Sequence, residues 1–119
     1  MRASIQILAA GVACTLSAAV PAFAADGSAA AGQQKDSMCQ GCHGIPDYRT
    51  AFPSVYSVPK IGGQHAAYIV KALQAYKSGE RVHPTMRAIA ASLSDQDMAD
   101  LAAFYSSPAG AAATSASAK

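Results

Sequence analysis

The sequence has little charge and few aromatic residues, and it lacks the patterns of several other protein classes. Tryptophan is absent, aromatic residues make up 7% and charged residues 13% of the chain, and the formal net charge is +2. No block of lysine and arginine suggests binding to nucleic acid. No alternating run of β-branched residues exceeds a few positions, so strands are not predicted. The expected fold class is all-α.

The longest apolar run lies near the N-terminus, from Ile5 to Val20. It follows Arg2 and precedes the small-x-small sequence AFA at 22–24, which is typical of a cleavage site. A membrane-spanning helix needs roughly 20 apolar residues, which neither this run nor any later segment supplies. We therefore expect residues 1–24 to be a cleaved signal peptide. The mature protein is then expected to be periplasmic, with no membrane span.

The positions of the three cysteines limit the possible functions of the chain. Of the three cysteines, Cys14 lies within the predicted signal peptide. The alternative, that Cys14 is a lipoprotein acylation site, is disfavoured because the residues before it make a poor recognition sequence. Cys39 and Cys42 survive processing and are expected in an oxidising compartment. What this pair does decides the function of the chain.

The rest of the chain is predicted to hold one small helical domain, over residues 25–107. Helical patterns cover 28–40 and 64–78, and a third helix begins at Ser94. The second and third helices each have an apolar stripe, formed by Ile69, Leu73 and Tyr76 and by Met98, Leu101, Ala102 and Tyr105.

The predicted helices are joined by long loops. Residues 44–63 are rich in Gly, Pro and Ser, and a loop of this length in a small domain usually serves function. One short helical turn is expected after Pro84. Residues 108–119 are rich in Ala and Ser with nothing large to bury, so we predict a disordered tail.

The strongest chemical signal is the sequence Cys-Gln-Gly-Cys-His at 39–43. This C-x-x-C-H pattern is the attachment sequence of c-type haem, in which each thiol forms a thioether with a vinyl group and the histidine ligates the iron. A structural zinc site would need four ligands, and the other histidines, His65 and His83, are isolated. A thioredoxin-like pair would need a βαβ setting, and a plain disulfide would leave His43 unexplained. We expect one covalent haem c.

Three segments in this order resemble the class I cytochromes c, particularly the haem-binding repeat of short bacterial periplasmic members. They are CQGCHG from Cys39, VPKIGGQHAAYIVKALQAYKSGER from Val58, and HPTMRAIAASLSDQDMADLAAFY from His83. The resemblance implies a small all-α class I cytochrome c fold. Three main helices and long loops are then expected around the haem.

The resemblance also implies a role for each site residue. Cys39 and Cys42 would carry the haem, His43 would be the proximal axial ligand of the iron, and Met86 the distal one. The carbonyl of Pro59 would accept the second ring N–H of His43, which fixes the ring and raises its basicity.

The residues themselves favour Met86 by elimination. A thioether ligand stabilises ferrous iron and raises the reduction potential. Met38 adjoins the attachment motif and cannot readily reach the far face of the haem, and Met98 lies on an apolar stripe where a core role is typical. Met86 is far enough along the chain from His43 to cross the haem edge. His83 stays open as a rival ligand, which would give a bis-histidine site of lower potential.

Two further expectations concern residues around the haem. Gly32 resembles the family glycine that lets the first helix cross the last closely, against Phe104 or Tyr105. Candidate partners of the haem propionates are Arg49, Tyr56, Lys60 and Arg81.

The predicted function is electron transfer without catalysis. The protein would cycle between ferric and ferrous states in the periplasm, between a donor dehydrogenase or membrane complex of a respiratory chain and an oxidase or reductase. Its partners would be transient redox proteins, and the chain would be a monomer or weak dimer. An alternative is a haem c subunit of a stable periplasmic oxidoreductase complex. Haem catalysis or ligand sensing would need an open sixth position, and a haem-free module would be colourless with free thiols.

Overall fold

The computed structural model describes residues 26–51 and 55–115. The all-α prediction is confirmed, because the β structure in these ranges is one antiparallel pair of two-residue strands. No helix in these ranges is long and apolar enough to cross a membrane. The predicted signal peptide, residues 1–24, lies outside the described residues. The elements in chain order are α1 Ala29–Lys35, α2 Ser37–His43, β1 Arg49–Thr50, β2 Tyr56–Ser57, α3 Ala66–Ser78, α4 Pro84–Ala91, α5 Asp95–Ser106 and α6 Pro108–Ala113.

The first predicted helix is divided in two at Asp36. This residue ends α1 and precedes α2, and its carbonyl oxygen accepts the N–H groups of Cys39 and Gln40, both at 2.8 Å. The expected single turn after Pro84 is also longer than predicted, since α4 has eight residues. Asp36 therefore sets the point at which the cysteine-bearing helix begins.

The termini of α3 and α5 follow local signals. Gly79 ends α3 with a φ of 86°, a backbone conformation that favours glycine. α5 begins with a capping box, in which Ser94 accepts the N–H of Asp97 and the Asp97 side chain accepts the N–H of Ser94. These two ends lie where the sequence predicts them.

α1 crosses α5 at very close range through Gly32. The α-carbon of Gly32 faces the backbone of α5, and a Cβ added there would overlap the carbonyl oxygen of Asp100 and lie 2.8 Å from the Cβ of Phe104. The predicted close crossing is thus present, with Phe104 as the side chain involved. Only glycine permits this approach of the two helices.

The carboxylate of Asp100 holds both ends of α1 against α5. Its Oδ1 accepts the backbone N–H of Ser28 at 2.8 Å, and its Oδ2 accepts the Lys35 ammonium at 2.7 Å. Lys35 also contacts Oδ1 of Asp97 at 2.6 Å, and Gln96 donates to Asp100 Oδ1 at 2.9 Å. Asp100 is buried, so these partners replace the water that the charge loses.

The core is built mainly on α5. Met98 is fully buried, as its position on the predicted apolar stripe indicates. The other members of the buried cluster are Ile69, Leu73, Leu93, Leu101, Ala102, Phe104 and Tyr105. Burial on this face anchors α3 and α5 to each other.

The predicted disordered tail is wrong where the structure describes it, because residues 108–113 form α6. The Ser107 side chain caps this helix by accepting the N–H of Gly110, and Pro108 occupies its first turn, where its missing N–H costs nothing. Because its residues are small, this helix approaches α5 closely, and Gly110 lies against the backbone of Phe104 and Tyr105. Thr114 is buried beyond the helix end. The composition suggested disorder because it contains nothing large to bury.

Replacement of Gly32 by valine is expected to lower the free energy of unfolding by about 3 kcal/mol, because the added atoms would force α1 away from α5. Gln33→Val is the matched control, since Gln33 is exposed on the same helix. Urea unfolding of the haem-loaded protein measures both. Equal effects of the two substitutions would contradict the close crossing.

Stability is expected to fall as pH is lowered from about 4 to about 2. The Lys35 ammonium, the Ser28 N–H and Gln96 lower the pKa of Asp100 from 3.8 to about 2. A carboxyl whose pKa is lower in the folded state stabilises that state above its unfolded pKa, and the stabilisation is lost as pH falls through the folded value. Lys35 also lowers the pKa of Asp97, which adds to the slope in this window.

Thermal unfolding at several pH values between 2 and 7 (roughly the range over which carboxylates titrate) checks this expectation. Asp100→Asn should be less stable at neutral pH and should show a shallower loss of melting temperature on acidification. Asp95→Asn, at an exposed position on the same helix, should keep the parental slope. A parental slope in Asp100→Asn would refute the assignment.

Candidate haem site

The attachment sequence lies at the C-terminal end of α2. Cys39 and Cys42 are three positions apart in this helix, so their side chains lie on neighbouring parts of one face. Both are partly buried, and neither forms a disulfide with a described residue. Two free thiols on one helix face are the chemical requirement for two thioether bonds to one haem.

The ring of His43 is oriented by the loop that follows it. Its Nδ1 lies 2.6 Å from the carbonyl oxygen of Pro59. A carbonyl oxygen only accepts, so Nδ1 carries the proton and the lone pair of a neutral ring is on Nε2. This geometry leaves Nε2 available to a metal and is the contact that the resemblance implies for Pro59.

Met86 lies in the first turn of α4 and is partly buried against the core cluster. His83 precedes this helix as its N-cap, and Pro84 is the first helical residue. His83 Nδ1 accepts the backbone N–H of Met86 at 3.3 Å. The two rival ligands of the sequence analysis are therefore in direct contact.

One cavity of about 370 Å³ brings the predicted site residues together. Its volume is within the range of about 300–1,000 Å³ found for ligand and cofactor sites. All five predicted residues line it, namely Cys39, Cys42, His43, Pro59 and Met86. The rest of its wall is mostly apolar and includes Met38, Val58, Ile61, Ile69, Ala72, Leu73, Tyr76, Ile89, Leu101 and Tyr105.

The apolar stripe of α3 serves this cavity as well as the core. Ile69, Leu73 and Tyr76 were predicted to share a face, and all three line the cavity. The tyrosine of α5, Tyr105, also lines it, although the sequence indicated only a core position. Helical spacing could identify these residues as inward-facing but could not distinguish a core contact from a cofactor contact.

The four candidate partners of the haem propionates do not all lie at the cavity. Tyr56, Lys60 and Arg81 line the cavity, whereas Arg49 is not among the described residues that do. Arg81 is held above the ring of Tyr76, with 4.6 Å to the ring centre, and Nη1 donates to the Tyr68 hydroxyl at 3.4 Å. Lys60 and Arg81 therefore provide positive charge at the edge of an apolar site.

Cys39 and Tyr105 lie in the more buried part of the site. Burial raises the pKa of the Cys39 thiol to about 11, with the charge of Asp36 adding to the shift and the Tyr105 hydroxyl opposing it. Burial likewise raises the pKa of Tyr105. The Tyr105 hydroxyl is buried without a nitrogen or oxygen partner among the described residues, and its polar neighbour is the Cys39 sulfur. Such an environment keeps both groups neutral at neutral pH.

The donor set fits haem c. An imidazole nitrogen and a thioether sulfur are the axial ligands of cytochrome c iron, and both side chains line the cavity to which the two thiols belong. By contrast, no group of three or more His, Cys, Asp or Glu side chains in residues 26–51 and 55–115 could hold a metal ion alone. His65 is exposed, and its side chain makes no cap hydrogen bond at the start of α3.

One family model, described as "Uncharacterized protein conserved in bacteria (DUF2059)", matches residues 80–118. The match covers less than half of the chain and does not include the attachment sequence at 39–43. It spans α4, α5 and α6.

Comparison with curated proteins finds several cytochromes. Cytochrome c4 of Pseudomonas aeruginosa is 41% identical over 83 residues, which are 70% of this chain and 39% of that protein. The chain thus spans about two fifths of that protein's length. A protein of Stutzerimonas stutzeri named "Thiosulfate dehydrogenase electron acceptor" is 38% identical over 65 residues, 55% of this chain and 29% of that protein.

Cytochrome c-554(548) of Halomonas halodenitrificans is 40% identical over 84 residues, which are 68% of this chain and 96% of that protein. This match covers nearly the whole relative. The chain therefore belongs to the class I c-type cytochromes, whose members carry covalently bound haem c.

Proposed function

We propose that this protein is a periplasmic electron carrier with one haem c, which passes single electrons between a donor dehydrogenase or membrane complex and an oxidase or reductase. The observation that carries the proposal is the shared cavity of His43 and Met86, with the two free thiols of α2 at its wall. With His43 and Met86 both holding the iron, no position would remain there for a substrate. Such a site favours electron transfer over catalysis.

Each residue of the site has a distinct task in this proposal. Cys39 and Cys42 would hold the haem through thioether bonds, and His43 would ligate the iron through Nε2 while its Nδ1–H donates to the carbonyl of Pro59. That hydrogen bond fixes the ring and increases the basicity of the ligating nitrogen. Met86 would hold the iron through its sulfur.

The bound haem supplies the one-electron chemistry, by alternating between ferric and ferrous iron. The residues around it set how easily this happens. The apolar side chains of α3 and α5 exclude water, and the thioether of Met86 favours the ferrous state, so both raise the reduction potential. Lys60 and Arg81 at the rim supply positive charge that can partner the propionates.

Family membership supports the proposal, since the relatives found are cytochromes and a protein named as an electron acceptor. The chain spans only part of most of these proteins, so donor and acceptor are part of the proposal. We propose residues 1–24 as the cleaved signal peptide that delivers the chain to the periplasm. Partners are transient redox proteins, and the chain acts as a monomer or weak dimer.

Substitution of Met86 tests the axial ligand. The haem-loaded protein, matured in a bacterial periplasm, should show a low-spin c-type reduced spectrum and a weak long-wavelength sulfur-to-iron band when oxidised. Met86→Ala should abolish the band and lower the reduction potential by on the order of 0.1 V, since axial ligands set haem potentials over a range of about 0.8 V.

Met38→Ala is the matched control, because Met38 lines the same cavity but adjoins the attachment sequence. This variant should keep the band and a potential close to that of the parent. Loss of the band in Met38→Ala, or its absence from the parent, would refute ligation by Met86. Ready binding of carbon monoxide by the parent would contradict a six-coordinate electron carrier. Colourless protein would refute haem binding.

A further inference from the structure

The start of α4 is capped by an unusual residue. N-caps are usually Ser, Thr, Asp or Asn, whose short side chains accept an N–H of the first turn. Here His83 has the extended backbone of an N-cap, with φ −155° and ψ 108°, and its ring Nδ1 accepts the N–H of Met86 at 3.3 Å. Pro84 has no N–H to offer, so this contact satisfies one of the few donors of the first turn.

The ring of His83 is itself held in place by two tyrosines. Its centroid is 4.9 Å from that of Tyr56, with an angle of 80° between the planes, and 6.4 Å from that of Tyr76, with an angle of 76°. Tyr56 belongs to β2 in the long loop and Tyr76 to α3. The ring thus connects three segments of the cavity wall and is only partly exposed.

The same contact constrains the backbone of the proposed distal ligand. Met86 is a flexible side chain with three rotatable bonds, so its sulfur is placed mainly by the position of its backbone. The Met86 N–H donates to the ring of His83, which contacts Tyr56 and Tyr76 on two other segments. This hydrogen bond limits the position of the Met86 backbone. The Arg87 N–H also donates to the carbonyl of His83, at 2.9 Å. The ring and the backbone carbonyl of His83 therefore both hold this turn.

We propose that His83 is a positioning residue for Met86: its Nδ1 holds the first turn of α4 so that the Met86 sulfur stays at the iron. The inference rests on the proposed function, because it takes Met86 as the distal ligand. In this arrangement His83 acts through its hydrogen bond and does not ligate the metal. The neutral ring then carries its proton on Nε2.

Displacement of Met86 by cyanide provides the test, because cyanide reaches ferric iron only when the sulfur has left. His83→Ala in the haem-loaded chain removes the acceptor of the Met86 N–H. Loss of an N-cap shifts the equilibrium between the folded and the frayed first turn by roughly fivefold. We expect cyanide to bind about five times faster to this variant than to the parent. His83→Asn restores a short N-cap acceptor and should bind cyanide at a rate within about twofold of the parent.

Ala88→Gly is the control for a general weakening of α4. Ala88 is exposed in the middle of the helix and does not line the haem cavity. It should lower the melting temperature with little change in the cyanide rate. An unchanged rate in His83→Ala, or equal rates in His83→Ala and either His83→Asn or Ala88→Gly, would overturn the proposal.

Amide exchange in the unaltered protein gives a second measurement that does not depend on folding of a variant. The Met86 amide should exchange about tenfold more slowly than that of Thr85, its neighbour in the first turn, because it donates to the His83 ring. Equal rates would overturn the proposal.

Failure of the proposed function would look different from failure of this inference. If His83 were itself the iron ligand, the parent would lack the sulfur-to-iron band and Met86→Ala would leave the spectrum unchanged. That result would overturn both. A parent with the band, together with a His83→Ala variant that behaves like it, would overturn only the role of His83.

Discussion

The close contact between α1 and α5 decides where the attachment helix lies. Gly32 lets the two backbones meet, and Asp100 holds both ends of α1 through its two carboxylate oxygens. α2 begins directly after Asp36, so the location of Cys39 relative to α5 follows from this contact. The proximity of Tyr105 and Cys39 is one result. The polar contacts of Asp100 with α1 thus lie on the same helix as Leu101 and Tyr105, which line the apolar cavity.

The last part of the long loop, from Pro59 to Gly63, is held by its contacts with the helices. The carbonyl of Pro59 meets His43, and the N–H of Gly63 donates to the carbonyl of Tyr105 at 2.8 Å. Gly62 lies close to Thr114 and Gly110, where a side chain would overlap both. The loop is thus attached to α2, to α5 and to the segment containing α6. This explains how a segment with little regular structure can hold the ring of His43 in a defined orientation.

The features predicted from sequence were those with local signals. The end of the second helix at residue 78, the start of the third at Ser94 and the periodicity of the α5 stripe depend on nearby residues alone, and the structure has all three. The spacing of the attachment motif likewise places Cys39, Cys42 and His43 together, and the structure has all three at the wall of one cavity. α6 was missed because its six small residues have no amphipathic pattern. Its close contact with α5 is made at Gly110, which has no side chain. The division of the first helix at Asp36 has no marker such as proline or glycine.

The parts of the site that could not be predicted depend on distant segments meeting. The sequence suggested His83 as a rival ligand, but its use as a cap depends on a ring position set partly by Tyr56 and Tyr76. The burial of the Tyr105 hydroxyl next to the Cys39 sulfur likewise depends on the tertiary fold. Helical spacing indicates that a residue points inward, whereas its neighbour there is a property of the tertiary fold.

The span of the Asp100 clamp has a consequence for how the pocket is assembled. The bond from Ser28 to Asp100 joins residues 72 positions apart, and that from Lys35 joins residues 65 apart. Contacts of such long range require closure of most of the chain, which costs entropy before any packing offsets it. An N-terminal fragment that ends before α5 contains the cysteines and the histidine but lacks the helix that holds α1 and whose Leu101 and Tyr105 line the cavity. Nearly the whole domain must therefore be present before a shaped pocket exists.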